Sequence, residues 1–302
     1  MKRDLTSMFD LTKKEIQSIF TITKQLKTAQ KKGADHKLLN GKTMAMIFEK
    51  PSLRTRVTFE TGMTQLGGHA IYLAPSDIQL GKRETVDDVA KNLSRWVDII
   101  MARVFAHSTI TGLAKNASIP VINGLCDLEH PCQILCDLFT VIEKKGSLSN
   151  ITIAYVGDGN NVCNSFVAAS VILGYRLNIA TPRGYEPYRP YLKKAPRAML
   201  TTDPVKAVTN ADIIYTDVWA SMGQEKEKEK RKKIFKDYQI NRQLVRHAKK
   251  NHCIMHCLPA HRGEEITEEI IDGKTSIVFD QAENRLHIQK GIIVFLMKNR
   301  KK

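Results

Sequence analysis

The chain lacks three features that would place it outside the ordinary class of globular proteins. No apolar run approaches the roughly 20 residues that a membrane-spanning helix needs. Residues 1–6 turn polar at once, so we expect no secretory leader with an apolar core. The six cysteines are too sparse in 302 residues for a disulfide scaffold. We therefore expect free thiols and a location in the reducing cytoplasm.

The composition indicates a globular chain with a strong positive charge. With 302 residues, of which 42% are hydrophobic, the chain is long enough for two domains. The net charge of +16 is consistent with nucleic-acid binding, but much of the excess lies in lysine patches at residues 24–32, 226–233 and 298–302. Since no aromatic-rich RNA-binding signature lies beside these patches, a lysine-rich proteome or an anionic substrate explains the charge at least as well, and nucleic-acid binding is the minor alternative.

Apolar periodicity predicts an α/β fold in which strands and helices alternate in two successive runs. The predicted strands cover residues 43–48, 69–73, 98–103, 120–123, 150–156, 176–181, 213–217, 252–258 and 276–279. The predicted helices cover residues 10–32, 56–67, 85–96, 108–117, 130–145, 161–173, 204–209, 239–248 and 288–300. Two such runs predict two doubly wound domains, each with a mostly parallel β-sheet flanked by helices.

The domain boundary is expected between the two runs. We therefore expect a first domain over residues 1–147 and a second over residues 148–302, with the C-terminal helix at about 286–302 packing back on the first. The charge run at residues 225–233 is expected to be a solvated, mobile insertion.

A basic motif follows the first predicted strand. Ser52, Arg54 and Thr55 lie within the run Ser-Leu-Arg-Thr-Arg that ends at Arg56. Hydroxyl and backbone N–H groups can bind phosphate oxygens there, and a guanidinium can bind two oxygens at once. A helix starting at this point adds its positive dipole end. The motif therefore predicts a site for a small phosphate compound.

Other polar side chains follow the predicted strands at their carboxyl ends, where open parallel sheets bind ligands. In the first half of the chain, Arg103 and residues 127–133 supply basic, imidazole and amide groups. In the second half, residues 157–161, 217–223 and 256–259 supply a carboxylate and a thiol. This asymmetry predicts an anionic substrate in one domain and an amino substrate in the other.

Two alternatives for the second half are less consistent with the sequence. Residues 157–161 (Gly-Asp-Gly-Asn-Asn) suggest a dinucleotide site, but Val162 stands where the third glycine of that motif belongs. His252, Cys253, His256 and Cys257 suggest a metal site, but a strand places His252 and Cys253 on opposite faces. We therefore expect no metal and interpret Cys257 as a functional thiol at a strand end.

These motifs together resemble the aspartate/ornithine carbamoyltransferase family over essentially the whole chain. The matching segments are Ser52 to Arg56, Gln79 with Gly81 to Glu84, Arg103, His130 to Gln133, Asp217, Ser221 to Gly223 and His256 to Pro259. The resemblance implies transfer of a carbamoyl group from carbamoyl phosphate to the δ-amine of ornithine, giving citrulline and phosphate. It also implies a homotrimer, possibly in larger assemblies, with no cofactor.

The resemblance also implies a role for each matching position. The carbamoyl phosphate site would contain Ser52, Leu53, Arg54, Thr55, Gln79, Arg103, His130, Gln133, Cys257, Leu258 and Arg285. The ornithine site would contain Asn161, Asp217, Ser221 and Met222. The catalytic groups would be Arg103, His130, Asp217 and Cys257. In this family the loop matching Gln79 reaches the neighbouring subunit's site, so active sites are shared between subunits.

The sequence departs from the family pattern at two positions and leaves other amines open as substrates. Leu53 and Cys132 stand where the family often has Thr. An aspartate-specific member should offer extra basic residues in its second half, whereas this chain has Asp217 and a Ser-Met-Gly run there. Putrescine is the chemically closer alternative, and the Ser-Met-Gly run favours an amino acid over it.

Overall fold

The computed structural model describes residues 2–81, 83–221, 223 and 225–298 and divides the chain into two units. Unit 1 comprises Met1–Phe139 and Glu283–Lys302, and unit 2 comprises Thr140–Ala282. The predicted boundary between residues 147 and 148 stays a prediction of the sequence. None of the helices in the described ranges combines the length and apolar character that crossing a membrane requires.

Unit 1 contains a four-stranded parallel sheet with the strand order β2-β1-β3-β4. Its strands are β1 (Thr43–Phe48), β2 (His69–Leu73), β3 (Ile99–Arg103) and β4 (Val121–Leu125). Its helices are α1 (Lys13–Lys31), α2 (Leu53–Gln65), α3 (Pro75–Ile78), α4 (Val86–Trp96), α5 (His107–Asn116) and α6 (Pro131–Lys145), the last of which continues into unit 2. A 3₁₀ turn at Met8–Asp10 precedes α1.

Local sequence explains where the first elements of unit 1 begin. Thr12 caps α1 in a capping box, in which its hydroxyl accepts from Glu15 N–H and the Glu15 carboxylate accepts in return. The apolar run of β1 is buried after its first residue, as a strand with both faces covered requires. Ser52 caps α2, so this helix begins at Leu53, three residues before the predicted start.

Unit 2 contains a five-stranded parallel sheet with the strand order β7-β6-β5-β8-β9. Its strands are β5 (Thr152–Val156), β6 (Arg176–Ala180), β7 (Ala198–Thr201), β8 (Ile213–Thr216) and β9 (Cys253–His256). Its helices are α7 (Asn161–Leu173), α8 (Arg189–Leu192), α9 (Pro204–Val208), α10 (Lys228–Phe235), α11 (Arg242–Val245), α12 (Glu268–Ile271) and α13 (Val278–Lys298), which continues into unit 1. The predicted α/β fold class is confirmed.

Two predictions for the second half of the chain are wrong, and a third is incomplete. Residues 276–279 form no strand: Ser276 makes an isolated bridge with Ile254, and α13 begins at Val278, ten residues before the predicted start. The helix expected over residues 239–248 is only the short α11. The run at residues 225–233 is not simply a solvated insertion, because it contains a 3₁₀ turn and most of α10, with Arg231 buried.

Candidate active site

The basic motif of unit 1 lies at the N-terminus of α2, directly after β1. Ser52 is extended, and its hydroxyl accepts from Thr55 N–H at 3.2 Å. Arg54 is half-buried in the first turn, and Thr55 is buried. The free N–H groups and the dipole of a helix N-terminus favour an anion at this position.

Leu53 and Gln79, two further predicted site residues, are both exposed. The Leu53 side chain is 73% exposed, so the departure from Thr at this position leaves the packing of α2 unaffected. Gln79 is exposed at the end of α3 with a φ of 47°. Its side chain makes no hydrogen bond with the other candidate residues in the described part of the chain.

Arg103 is the last residue of β3. His130 is the last residue of the loop that leads into α6. Both are buried, with 8% and 5% of their surface exposed. Burial lowers the pKa of His130 well below its usual value, and the positive charges of Arg285, Arg103 and Arg54 lower it further. His130 is therefore a neutral imidazole among three guanidinium groups at physiological pH.

Arg285, from α13, completes this part of unit 1. Its guanidinium donates to the Gln133 side-chain oxygen and, at 3.4 Å, to the Thr55 hydroxyl. The Gln133 amide in turn donates to Asp137 at 2.8 Å, which fixes the direction of its oxygen. The structure thus connects three predicted site residues, Thr55, Gln133 and Arg285, by hydrogen bonds. His130 is close enough to Arg285 for the charge of the guanidinium to lower its pKa.

Sequence reasoning missed an ion pair that connects two of these segments. Lys50 precedes the basic motif, is only 4% exposed, and pairs with Asp127 in the loop before His130. The Lys50 ammonium also lies 4.3 Å from the centre of the Phe105 ring. A lysine between a strand and a predicted phosphate motif is the signal that could have indicated it.

In unit 2, the candidate carboxylate Asp217 directly follows β8 and is buried. Its oxygens accept from the Asn160 amide at 2.7 Å, from the Cys257 thiol at 2.9 Å and from Val218 N–H at 2.8 Å. All three donors are uncharged. Within the described ranges, no lysine or arginine forms an ion pair with Asp217, so its charge is left for a cationic ligand.

The turn at residues 157–161 positions Asn160 rather than a dinucleotide. A Cβ on Gly159 would lie 2.3 Å from Pro187 N and 2.4 Å from the Glu186 carbonyl carbon. The glycine is therefore needed for the close approach of two backbone segments. Asn160, which the prediction missed, caps α7 with its oxygen and holds Asp217 with its amide. Asn161, the residue predicted for the site, is the first residue of α7 and is half-buried.

The loop after β8 contains the remaining candidates for the amino substrate. Ser221 is half-buried, and Met222 lies outside the described residues. The loop is connected to the rest of unit 2 by Arg231 of α10, which donates to the Trp219 carbonyl at 2.9 Å and pairs with Asp158 at 3.0 Å. Burial raises the pKa of Asp158 to about 6 although Arg231 opposes this shift.

Cys257 and Leu258 lie in a turn after β9, and Leu258 adopts a φ of 56°. Potential metal-ligand atoms of Asp217, His256 and Cys257 lie within 4.8 Å of one another. However, His256 Nδ1 accepts from Leu258 N–H at 2.8 Å, and Nε2 lies 3.0 Å from Glu265 Oε1. Both ring nitrogens are therefore engaged, which argues against a metal at this position.

Comparison with known proteins agrees with this arrangement. Residues 3–143 match the family model "Aspartate/ornithine carbamoyltransferase, carbamoyl-P binding domain", and residues 149–296 match "Aspartate/ornithine carbamoyltransferase, Asp/Orn binding domain". The chain belongs to the aspartate/ornithine carbamoyltransferase family.

Individual relatives match along nearly the whole chain. The ornithine carbamoyltransferase of Pyrococcus horikoshii is 54% identical over an alignment of 303 residues, which covers 98% of this chain and 96% of the relative. A Pyrococcus furiosus relative named "Ornithine carbamoyltransferase, anabolic" is also 54% identical, with the same coverage. The solved structure of ornithine carbamoyltransferase from Pyrococcus furiosus has a TM-score of 0.97 and 53% identity, covering 99% of this chain and 98% of that chain.

Proposed function

We propose that this chain transfers the carbamoyl group of carbamoyl phosphate to the δ-amine of L-ornithine, giving L-citrulline and phosphate. The observation that carries the proposal is the buried carboxylate of Asp217, bound by three uncharged donors. An aspartate substrate would bring a second carboxylate towards this group, whereas ornithine brings an amine. The names of the relatives support the same substrate, and one of them is called anabolic, which favours a role in arginine biosynthesis.

In this proposal, the cationic group of unit 1 binds carbamoyl phosphate. Arg54 and Arg103, with the hydroxyls and N–H groups at the start of α2, bind the phosphate. Arg103, the neutral His130 and Thr55 polarise the carbamoyl carbonyl, since donors placed at a developing oxyanion stabilise the transition state. The carbamoyl phosphate site comprises Ser52, Leu53, Arg54, Thr55, Gln79, Arg103, His130, Gln133, Cys257, Leu258 and Arg285.

Asn161, Asp217, Ser221 and Met222 bind ornithine in the same proposal. An alkylammonium is protonated at neutral pH, so the δ-amine must lose a proton before it attacks. Asp217 and Cys257 orient the amine and help to remove that proton. The amine nitrogen then bonds to the carbamoyl carbon, the carbon–oxygen bond to phosphate breaks, and phosphate leaves with that electron pair.

Three further features of the proposal come from the sequence and its family resemblance. We propose a homotrimer, possibly stacked into larger assemblies, whose active sites are shared because Gln79 serves a neighbouring subunit. We also propose that the enzyme acts in the cytoplasm and uses no cofactor. The exposure of Gln79 at the end of α3 is compatible with a role in another subunit.

The test is citrulline formation from carbamoyl phosphate and ornithine, run beside putrescine and aspartate as competing acceptors. Turnover of ornithine alone would support the assignments of Asp217 and Ser221. Turnover of putrescine or aspartate in its place would keep the assignments in unit 1 and overturn those in unit 2. If no acceptor is turned over, strongly salt-dependent DNA binding would favour the nucleic-acid alternative.

A further inference from the structure

A fully buried carboxylate, Glu265, holds the turn that contains Cys257 at both ends. Its Oε1 atom lies 3.0 Å from Nε2 of His256, the last residue of β9. The same oxygen accepts from the backbone N–H of His261 at 2.7 Å. Glu265 and His256 both have 0% of their surface exposed. One oxygen atom therefore fixes the first and the last residue of the segment 256–261.

The hydrogen bonds of His256 determine which ring nitrogen carries the proton. Nδ1 accepts from Leu258 N–H at 2.8 Å, and a backbone N–H can only donate. The proton must therefore be on Nε2, where it is donated to Glu265. The backbone N–H of His256 donates to the Gln281 side-chain oxygen at 3.1 Å. This is the third hydrogen bond that holds the residue, after those with Glu265 and Leu258.

The His256 imidazole stabilises a tight turn that contains Cys257, because its Nδ1 atom accepts a hydrogen bond from the backbone of residue 258. Leu258 adopts a left-handed backbone conformation in this turn, with a φ of 56°, which an L-residue adopts only when its surroundings impose it. The direction of the Cys257 thiol, which donates to Asp217 at 2.9 Å, follows from the conformation of this turn.

We propose that Glu265, acting through His256, is a positioning residue for the Cys257–Leu258 turn in the carbamoyl transfer. The inference rests on the proposed function, since it assigns the turn a place beside the reacting groups. Neither Glu265 nor His256 touches the substrate in this proposal. Their contribution is geometric, and a displacement of about 1 Å can cost about a hundredfold in rate.

The experiment compares Glu265→Ala, which removes the acceptor, with Glu265→Gln, which keeps an oxygen at the same place. The amide nitrogen of Gln would replace Oε2, an atom without a hydrogen-bond partner in the described part of the chain. We expect Glu265→Ala to lower kcat by about tenfold to a hundredfold and Glu265→Gln to stay close to the wild type. Glu265→Asp, with a shorter reach, is the substitute if the alanine variant does not fold.

A second readout follows the thiol without any substrate. We expect Cys257 to be alkylated by iodoacetamide several times faster in Glu265→Ala, because its hydrogen bond to Asp217 is no longer imposed. A Cys253→Ser background removes the other cysteine that is not fully buried. The control is Glu269→Ala, since this carboxylate is exposed on α12 and its loss should leave both readouts unchanged.

The outcomes separate this inference from the proposed function. If the wild type forms no citrulline, the proposed function fails, and the alkylation rates alone decide the role of Glu265. Wild-type kinetics and alkylation in Glu265→Ala would overturn the inference. Equal losses in the Ala and Gln variants would also overturn it, because they would show that the charge, and not the position of the oxygen, is what matters.

Discussion

Buried arginines in the two units have different partners. In unit 1, Arg285 donates to the neutral oxygens of Gln133 and Thr55. Burial lowers the pKa of His130, and the positive charge of Arg285 lowers it further. In unit 2, Arg231 pairs with the carboxylates of Asp158 and Glu227. A guanidinium satisfied by a carboxylate is part of the scaffold. A guanidinium that donates only to neutral groups keeps its charge for an anion.

The carboxylates show the opposite arrangement. Asp217 of unit 2 accepts from uncharged donors, whereas Asp127 of unit 1 is paired with the buried Lys50. Among the described residues, Arg285 of unit 1 and Asp217 of unit 2 thus form no ion pair, so one positive and one negative charge are left for ligands. This difference matches a phosphate compound in one unit and an amine in the other.

The largest effect is expected from breaking the internal pair of unit 2. Arg231→Ala leaves Asp158 buried without its partner, and the loss of one member of a buried ion pair costs about 3–5 kcal/mol of folding free energy. The measurement is urea unfolding at neutral pH. Lys233→Ala is the matched control, because Lys233 is an exposed cation on the same helix. Equal unfolding free energies for Arg231→Ala and Lys233→Ala would contradict the structural role of the pair between Arg231 and Asp158.

In unit 1, substitution of a site arginine should remove activity without a comparable loss of stability. We expect Arg54→Ala to lower kcat/KM for carbamoyl phosphate by about a hundredfold to a thousandfold, since the guanidinium would no longer bind the phosphate. Steady-state kinetics with carbamoyl phosphate as the varied substrate measure this.

Arg56 provides the matched control within the same motif. It is exposed, pairs with Glu60 at 3.4 Å and stacks over the Tyr72 ring at 3.8 Å. Arg56→Ala should therefore leave kcat/KM close to the wild type. Near-normal kinetics in Arg54→Ala, or equal losses in both variants, would count against the phosphate site.

The carboxylate of unit 2 gives the next largest expected effect. Asp217→Asn keeps the shape and one oxygen acceptor but removes the charge, and we expect about a hundredfold loss of kcat/KM for ornithine. Binding of carbamoyl phosphate alone, followed by calorimetry, should be unchanged. Asp237→Asn, at an exposed aspartate, is the control. Weaker carbamoyl phosphate binding in Asp217→Asn would contradict the assignment of the phosphate compound to unit 1 and of the amine to unit 2.

Much of this fold could be predicted from the sequence, because buried parallel strands read as apolar runs. The strand predicted over residues 69–73 agrees with β2, and the strand predicted over residues 43–48 agrees with β1. The strand predicted over residues 276–279 is wrong, since a short apolar stretch is equally consistent with a strand and with the start of a buried helix. Strand β7 was missed because its half-exposed sequence, Ala-Met-Leu-Thr, has no clear period.

The motifs of the site could be predicted too, but their supporting partners could not. Asn160, Arg231 and Glu265 contact site segments that lie far from them in the sequence or across a turn. No local pattern indicates such contacts, because each depends on how the strands order themselves in the sheet. Glu265 lies in a charged stretch that is typical of a solvent-exposed surface, yet it is fully buried.

The smallest expected effect is on the pH dependence of folding stability, and it comes from unit 1. His287 is buried on α13, faces Lys290, Lys27 and Glu283, and has a pKa lowered to about 4, mainly by burial and then by the two lysines. Between pH 6.5 and about 4 the unfolded chain takes up a proton at this residue and the folded chain does not. Its contribution to stability is therefore present above 6.5 and is lost as the pH falls through this window.

We expect His287→Gln to remove about 1–3 kcal/mol of the acid-induced loss of unfolding free energy, because Gln takes up no proton. Urea unfolding of the variant and the wild type across that window measures the difference. His247→Gln is the control, since this histidine is exposed. Asp158, whose pKa is raised to about 6, contributes with the opposite sign over much of the same range in both proteins, so only the difference between them isolates His287. Parallel curves for His287→Gln and the wild type would show that neither burial nor the two lysines lowers the pKa of this histidine.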